Sequence, residues 1–246
     1  MYTMDFAVLH SHLGADGFMR PSLLLAAVQD AATEDAERHM DMGRQAMRER
    51  FGAFWIIART SLYIDRPLEP GGFRAVTWRA EGHGALWPRA TVVLDGAGRV
   101  AARCISQWSA ISWEEPRRVV LLPDIPADEP PYPLPRVLRP RVPASAPVSG
   151  SHTVVRSDLD ENRHVNNARA LDILEDAVRR DAPCGEGVLR EAHIHYAGEA
   201  RLGDVLTVRQ TWEGRQALLR TAHPDGRAVH EAALVYASAE SGKITG

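Results

Sequence analysis

Ten consecutive residues, Asp158-Leu159-Asp160-Glu161-Asn162-Arg163-His164-Val165-Asn166-Asn167, hold three carboxylates, three carboxamides and one imidazole. A solvated turn needs only one or two Asp or Asn side chains to satisfy its backbone, so this density asks for another explanation. The groups together supply a proton acceptor, uncharged amide donors and a proton shuttle. A helical stripe (Ala168, Leu171, Leu174, Val178) follows at once, with Arg169, Asp172, Asp176 and Arg179 largely off it. The N-terminus of that helix would turn free N–H groups and a positive dipole end toward the same place. Such a set can hold a polarised carbonyl and activate a water against it. Asp160, Asn162 and His164 are therefore candidate catalytic residues, and Asn166 and Asn167 candidate substrate-binding residues. Asn166 is equally a favoured N-cap, and Asp158 reads as a turn-former.

The elements that must position these groups occur twice. Nine of the 16 prolines fall between Pro123 and Pro147, a stretch without hydrophobic periodicity that reads as an extended linker. It leaves an N-terminal domain at 1–122, a linker at 123–150 and a C-terminal domain at 151–246. In the first domain Pro21 opens a helix to His39 with Leu24, Leu25, Val28, Ala31 and Ala32 at helical spacing. Strand-like runs follow at 54–65, 74–80, 89–94 and 100–112, with Asp95-Gly96-Ala97-Gly98 as a hairpin turn. The second domain repeats the order, with runs at 191–199, 205–212, 217–221 and 229–238 and a turn at Pro224-Asp225-Gly226. The fold class is α+β: two tandem domains, each a long helix packed against an antiparallel sheet.

The duplication is an internal control. The first domain enters its helix through Gly14-Ala15-Asp16-Gly17-Phe18-Met19-Arg20-Pro21, where the second uses the Asp/Asn/His cluster. Asp65 to Gly72 stands at a constant offset from Ala197 to Asp204, so Pro67 matches Glu199. Polar chemistry is concentrated in one copy of the scaffold. Glu199 thereby joins the candidate catalytic residues, and the first domain is expected to shape a hydrophobic pocket.

Composition narrows the class. Hydrophobic residues at 45% and charged residues at 25% suit a core-forming protein. A net charge of -3 argues against nucleic-acid binding. Two distant cysteines, Cys104 and Cys184, give neither a disulfide framework nor metal-ligand spacing, which suits the cytoplasm. No stretch approaches the roughly 18 apolar residues of a membrane span. His193 and His195 share a strand face, as His10 and His12 share a short segment, but neither pair has a third ligand at metal spacing. No metal and no cofactor is expected. G-x-S-x-G does not occur, which removes a serine nucleophile elbow.

The decapeptide resembles the D-L-D-x-N-x-H-V-N-N signature of the acyl-ACP thioesterases of plants and bacteria. His195-Tyr196-Ala197-Gly198-Glu199-Ala200 is similar to the later strand of that family, which ends in a catalytic glutamate. Trp55 to Thr60, Asp65-Arg66-Pro67, Gln107 to Ile111 and Pro116 to Val119 also look familial. The resemblance implies two tandem hot-dog domains and puts Asp160, Asn162, His164 and Glu199 on catalytic positions. Ala200 stands where plant members often carry a cysteine, which favours activated water over an acyl-enzyme. The implied activity is hydrolysis of fatty acyl thioesters of acyl carrier protein or coenzyme A, by a monomer or homodimer. Arg117, Arg118, Arg136, Arg139 and Arg141 would either meet an acidic carrier or keep the linker solvated.

In that chemistry Glu199 takes the water proton or positions the water while Asp160 orients Asn162 and His164, though the two carboxylates could exchange roles. Partial burial beside a lipid pocket would raise the base's pKa toward working pH. Two rival readings stand. A hot-dog enoyl-thioester hydratase or dehydratase uses a similar Asp, Asn and His, but its pattern carries a proline and one more residue before the His. A non-catalytic acyl-thioester binding module would bind without turnover.

Overall fold

The computed structural model describes residues 1–82, 84–115, 118–123, 126–179 and 187–237. Cys184, Arg117 and the end of the last expected strand at 238 lie outside them. The chain forms two compact units, Met1–Val137 and Leu138–Gly246.

The first unit runs β1 (Tyr2–Val8), α1 (Pro21–Arg38), α2 (Arg44–Phe51), β2 (Ala53–Ile64), β3 (Gly71–Arg79), β4 (Trp87–Asp95) and β5 (Val100–Ser112). Its strands lie in the order β1-β3-β4-β5-β2, all antiparallel. Pro21 occupies the first turn of α1, where its missing N–H costs nothing. Leu24, Leu25, Val28, Ala31 and Ala32 are all buried, and the helix packs on β3 and β1. Beneath the helix, Asp35 and Arg89 of β4 form a buried ion pair, and Arg89 Nε donates to Thr77 Oγ1 at 3.1 Å.

The second unit runs β6 (Val148–Thr153), α3 (Asn167–Arg179), β7 (Leu189–Tyr196), β8 (Val205–Glu213), β9 (Gln216–Ala222) and β10 (Ala228–Tyr236). Its order is β6-β8-β9-β10-β7, the same as in the first unit strand for strand. Ala168, Leu171, Leu174 and Val178 face inward, and α3 meets β10 and β6. Val154, Val165, Ala170, Ile173, Ala200, Leu206 and Val229 form the core beside the loop cluster. Each unit is thus a hot-dog domain, a long helix on a five-stranded antiparallel sheet.

Three elements escape the sequence reading: α2 and the edge strands β1 and β6. Tyr2–Val8 alternates exposed and half-buried residues with an Asp inside it, and Val148–Thr153 is mostly Ser, Gly, His and Thr. Edge strands bury little and tolerate polar residues, so neither carries a strong apolar signal. The segment read as a linker is anchored on the first unit as far as Arg136. Asp128 pairs with Arg79 at 2.7 Å, Tyr132 meets Trp78, and Tyr63 Oη donates to the Arg136 carbonyl at 2.8 Å.

Candidate active site

The loop from Leu159 to Val165 is closed by an antiparallel bridge between its ends. The Asp160 N–H donates to the His164 carbonyl at 2.8 Å, and the Arg163 N–H to the Asp160 carbonyl at 3.0 Å. Arg163 takes a left-handed conformation at φ 64°, the strained residue of the turn. Asp160 Oδ1 accepts from the N–H groups of Asn162 at 2.8 Å and His164 at 3.1 Å. Among the described residues those are the hydrogen bonds of its carboxylate, which clasps the loop from within.

The first unit holds the same loop without that chemistry. Leu13 and Met19 form the matching bridge, and Gly14 N–H to Phe18 O at 2.8 Å repeats the bond from Asp160 to His164. There Asp16 Oδ1 accepts from the Phe18 N–H at 3.1 Å, doing for Phe18 what Asp160 does for His164. Met19 N–H reaches the Leu68 carbonyl at 2.8 Å as Val165 N–H reaches Ala200 at 2.9 Å, which puts Pro67 opposite Glu199.

Glu199 is not on a strand, contrary to the expected run 191–199. β7 ends at Tyr196, and the glutamate sits in the bend after it. Its Oε2 lies 3.3 Å from His164 Nε2 and 3.8 Å from a guanidinium nitrogen of Arg201. The Glu199 side chain is 59% exposed and His164 25%, so the expected partial burial of the base is absent. The reason is local: the bend leaves Ala197, Gly198 and Glu199 outside while only Ala200 turns into the core. His164 therefore joins the two carboxylates, with Asp160 on its N–H and Glu199 on its imidazole. Asn162 is exposed on the same loop.

Asn166 caps α3. Its Oδ1 accepts the N–H groups of Ala168 at 2.9 Å and Arg169 at 3.2 Å, which leaves only its amide NH2 for other contacts. The cap consumes two of the free N–H groups that the sequence aims at a substrate. Among the described residues the Asn167 N–H remains at this end, while the Asn167 carbonyl accepts from Tyr196 Oη at 3.2 Å.

Asp158 shapes the loop's entry. Its side chain is 1% exposed and bonds to His152 Nε2 at 2.8 Å, the Val155 N–H at 3.0 Å and Arg169 at 3.2 Å. Burial pushes its carboxyl up, but the Val155 N–H, His152 and Arg169 outweigh that and hold it below the usual carboxylate range. Arg169 also pairs with Asp172 on the helix. His193 contacts Glu191 at 2.9 Å, and His195 contacts Glu231 at 3.5 Å; each imidazole has a carboxylate neighbour of its own. Among the described residues no group of three metal-binding side chains assembles, and no helix is long and apolar enough to cross a membrane.

Sequence reasoning passes over His223, whose Nε2 lies 2.9 Å from the Glu199 carbonyl. It is 24 residues from Glu199, and only its place at the start of the Pro224-Asp225-Gly226 turn could have drawn attention to it.

Two family models match the chain. Residues 1–128 match the acyl-ACP thioesterase N-terminal domain and residues 144–238 the C-terminal domain. An acyl-ACP thioesterase from Bacteroides thetaiotaomicron superposes with a TM-score of 0.82 at 20% identity, covering 96% of this chain and 97% of its own. A 12:0-ACP thioesterase from Umbellularia californica gives 0.78 at 18%, covering 96% of each. A MaoC-like dehydratase from Phytophthora capsici gives 0.55 at 15%, covering 75% of this chain and 72% of its own. Curated proteins give no match. The fold is therefore shared with a dehydratase, and it is the family models that separate the two chemistries.

Proposed function

Because the chain belongs to the acyl-ACP thioesterase family, whose members hydrolyse fatty acyl thioesters, we propose that Glu199, His164, Asn162 and Asp160 perform that hydrolysis here. The observation that carries the reading is the approach of Glu199 to the His164 imidazole at 3.3 Å, with His164 held through its N–H by Asp160.

Glu199 accepts a proton from a water as its oxygen attacks the thioester carbonyl carbon. The carbonyl oxygen becomes an oxyanion, to which the reading assigns the His164 imidazole, the Asn162 carboxamide and the Asn167 N–H as donors. Collapse of the tetrahedral intermediate breaks the C–S bond and expels the thiolate, which recovers the proton from Glu199 directly or through His164. The products are a free fatty acid and a thiol. Ala200, buried beneath Glu199, offers no nucleophile, which supports water as the attacking group. Asp160 orients the loop, since its Oδ1 is occupied by two N–H groups. Asn166 contributes as the helix cap.

The acyl group arrives on acyl carrier protein, with the coenzyme A thioester as the second candidate carrier. One unit supplies all four residues, so a monomer suffices. The distant cysteines support a cytoplasmic setting.

The test supplies saturated and trans-2-enoyl thioesters and follows free thiol against loss of enoyl absorbance. Thiol release from the saturated substrate, cut at least about 100-fold by Glu199→Gln, is the expected result. Hydration without thiol release, or an unchanged rate in Glu199→Gln, overturns the reading.

A further inference from the structure

Glu199 is exposed, and its side chain is not locked by packing. What fixes it is its main chain. The Ala197 and Gly198 N–H groups both donate to the Val229 carbonyl, at 2.9 and 3.2 Å, and the Ala200 carbonyl accepts from Val165. Between these anchors, the Glu199 carbonyl meets His223 Nε2 at 2.9 Å.

His223 is itself well held. It opens the turn between β9 and β10, where its N–H donates to the Arg227 carbonyl and its carbonyl accepts from Gly226, each at 2.9 Å. Its side chain is only 12% exposed, and Nδ1 faces Asp204 Oδ2 at 4.0 Å. The same Asp204 oxygen accepts the Arg201 N–H at 2.8 Å. Arg201 in turn approaches the Glu199 carboxylate, so the segment 199–204 is gripped at both ends.

The first unit explains why the brace comes from the turn. There the turn Asp95 to Arg99 stands in the place of His223 to Arg227, and Arg66 stands in the place of Gly198. Arg66 reaches across to Asp95 at 3.2 Å and to the Val100 carbonyl at 2.7 Å. The second unit has no such option. A Cβ at position 198 would lie 2.6 Å from the Ala228 carbonyl oxygen, so the residue is glycine and carries no arm. The opposite hairpin supplies the arm instead, and it takes hold of a carbonyl, which leaves the glutamate side chain to face His164.

We propose that His223 is a positioning residue that sets the Glu199 carboxylate against His164 by donating from Nε2–H to the Glu199 carbonyl. The inference rests on the reading that Glu199 activates water.

The test measures kcat and KM for thiol release from a saturated acyl thioester in His223→Ala, His223→Phe and His223→Gln, alone and in a Glu199→Gln background, with thermal melts of each. Loss of one neutral hydrogen bond that sets a reacting group predicts a kcat about tenfold lower in the Ala and Phe variants, with KM within about twofold. Gln, whose amide can donate to the same carbonyl, recovers most of the loss. In the Glu199→Gln background the His223 substitutions cause no further fall. Wild-type kcat in the folded Ala or Phe variant overturns the proposal, as does an equal fall in both backgrounds. An unchanged rate in Glu199→Gln alone instead strikes the reading of Glu199, so the two failures are distinguishable.

Discussion

Replacing Asp160 by Asn and by Ala separates two roles that a single substitution would blur. Asp160 Oδ1 accepts N–H groups from Asn162 at 2.8 Å and His164 at 3.1 Å. A hydrogen bond to a charged group contributes about 1.5–3 kcal/mol, and on a half-buried loop the low end applies. Removing both in Asp160→Ala therefore costs about 3 kcal/mol of loop order, or roughly 100-fold in the fraction of enzyme with His164 in place. Asparagine keeps an Oδ1 in the same position as a neutral acceptor, at about 1 kcal/mol per bond, so the loss is about 1 kcal/mol and the rate falls about fivefold to tenfold. If Asp160 took the water proton itself, both variants would fall alike, by about 10²–10⁴. The assay is thiol release under saturating acyl thioester, with circular dichroism to establish that each variant is folded. A folded Asp160→Asn as inactive as Asp160→Ala refutes the assignment of Asp160 to loop order and transfers the base to it. The first unit bears on the outcome, because its loop keeps a carboxylate on the equivalent N–H, from Asp16 to Phe18, without the imidazole or the glutamate that would give it chemistry.

Two further outcomes follow from the second unit. His230 is fully buried with Nδ1 on Thr221 Oγ1 at 2.9 Å, and burial pushes its pKa from 6.5 down to about 4. Below about pH 6.5 the unfolded chain takes up a proton that the folded state refuses until about pH 4, so this stability is complete above 6.5 and is lost as pH falls through that window. Urea unfolding at pH 5 should show about 2 kcal/mol less stability from this residue than at pH 8, and His230→Asn should flatten that difference; identical pH slopes would contradict it. Asn166→Ala should lower stability by about 1 kcal/mol through loss of the α3 cap. Asn166→Ser, which keeps a cap oxygen but has no amide, should retain both stability and kcat/KM, whereas a stable but inactive Ser variant would assign the amide to substrate.

The legible parts of this fold were those written as local patterns. The stripe from Leu24 to Ala32 and the one from Ala168 to Val178 face the cores, because apolar residues at helical spacing have one side to bury. The Asp95-Gly96-Ala97-Gly98 turn closes as its residues require, with the Gly98 N–H on the Asp95 carbonyl at 2.9 Å. Matching Pro67 to Glu199 worked because two copies of one backbone can be compared without any relative. The illegible parts depend on long-range pairing or on solvent. β1 and β6 are identified by their neighbours rather than by their own residues. The exposure of Glu199 follows from where β7 stops, and a periodic pattern does not mark that point to within three residues. His223 reaches Glu199 only once β9 and β10 have turned back beside β7. The N-cap role of Asn166 is readable from its type, but its consequence, two amide protons withdrawn from the substrate, depends on where the helix begins.

The bridge from Leu13 to Met19 has the same main-chain bonds as the one from Leu159 to Val165, although Gly, Asp and Phe replace Asp, Asn and His at its three facing positions. The shape of this hairpin-like socket is thus written in the peptide framework and tolerates exchange of the side chains mounted on it. Evolution could strip one socket and furnish the other without rebuilding either, and an engineer can travel the same road in reverse. Furnishing Gly14, Asp16 and Phe18 as their counterparts are furnished would ask of the amino-terminal socket only new fittings.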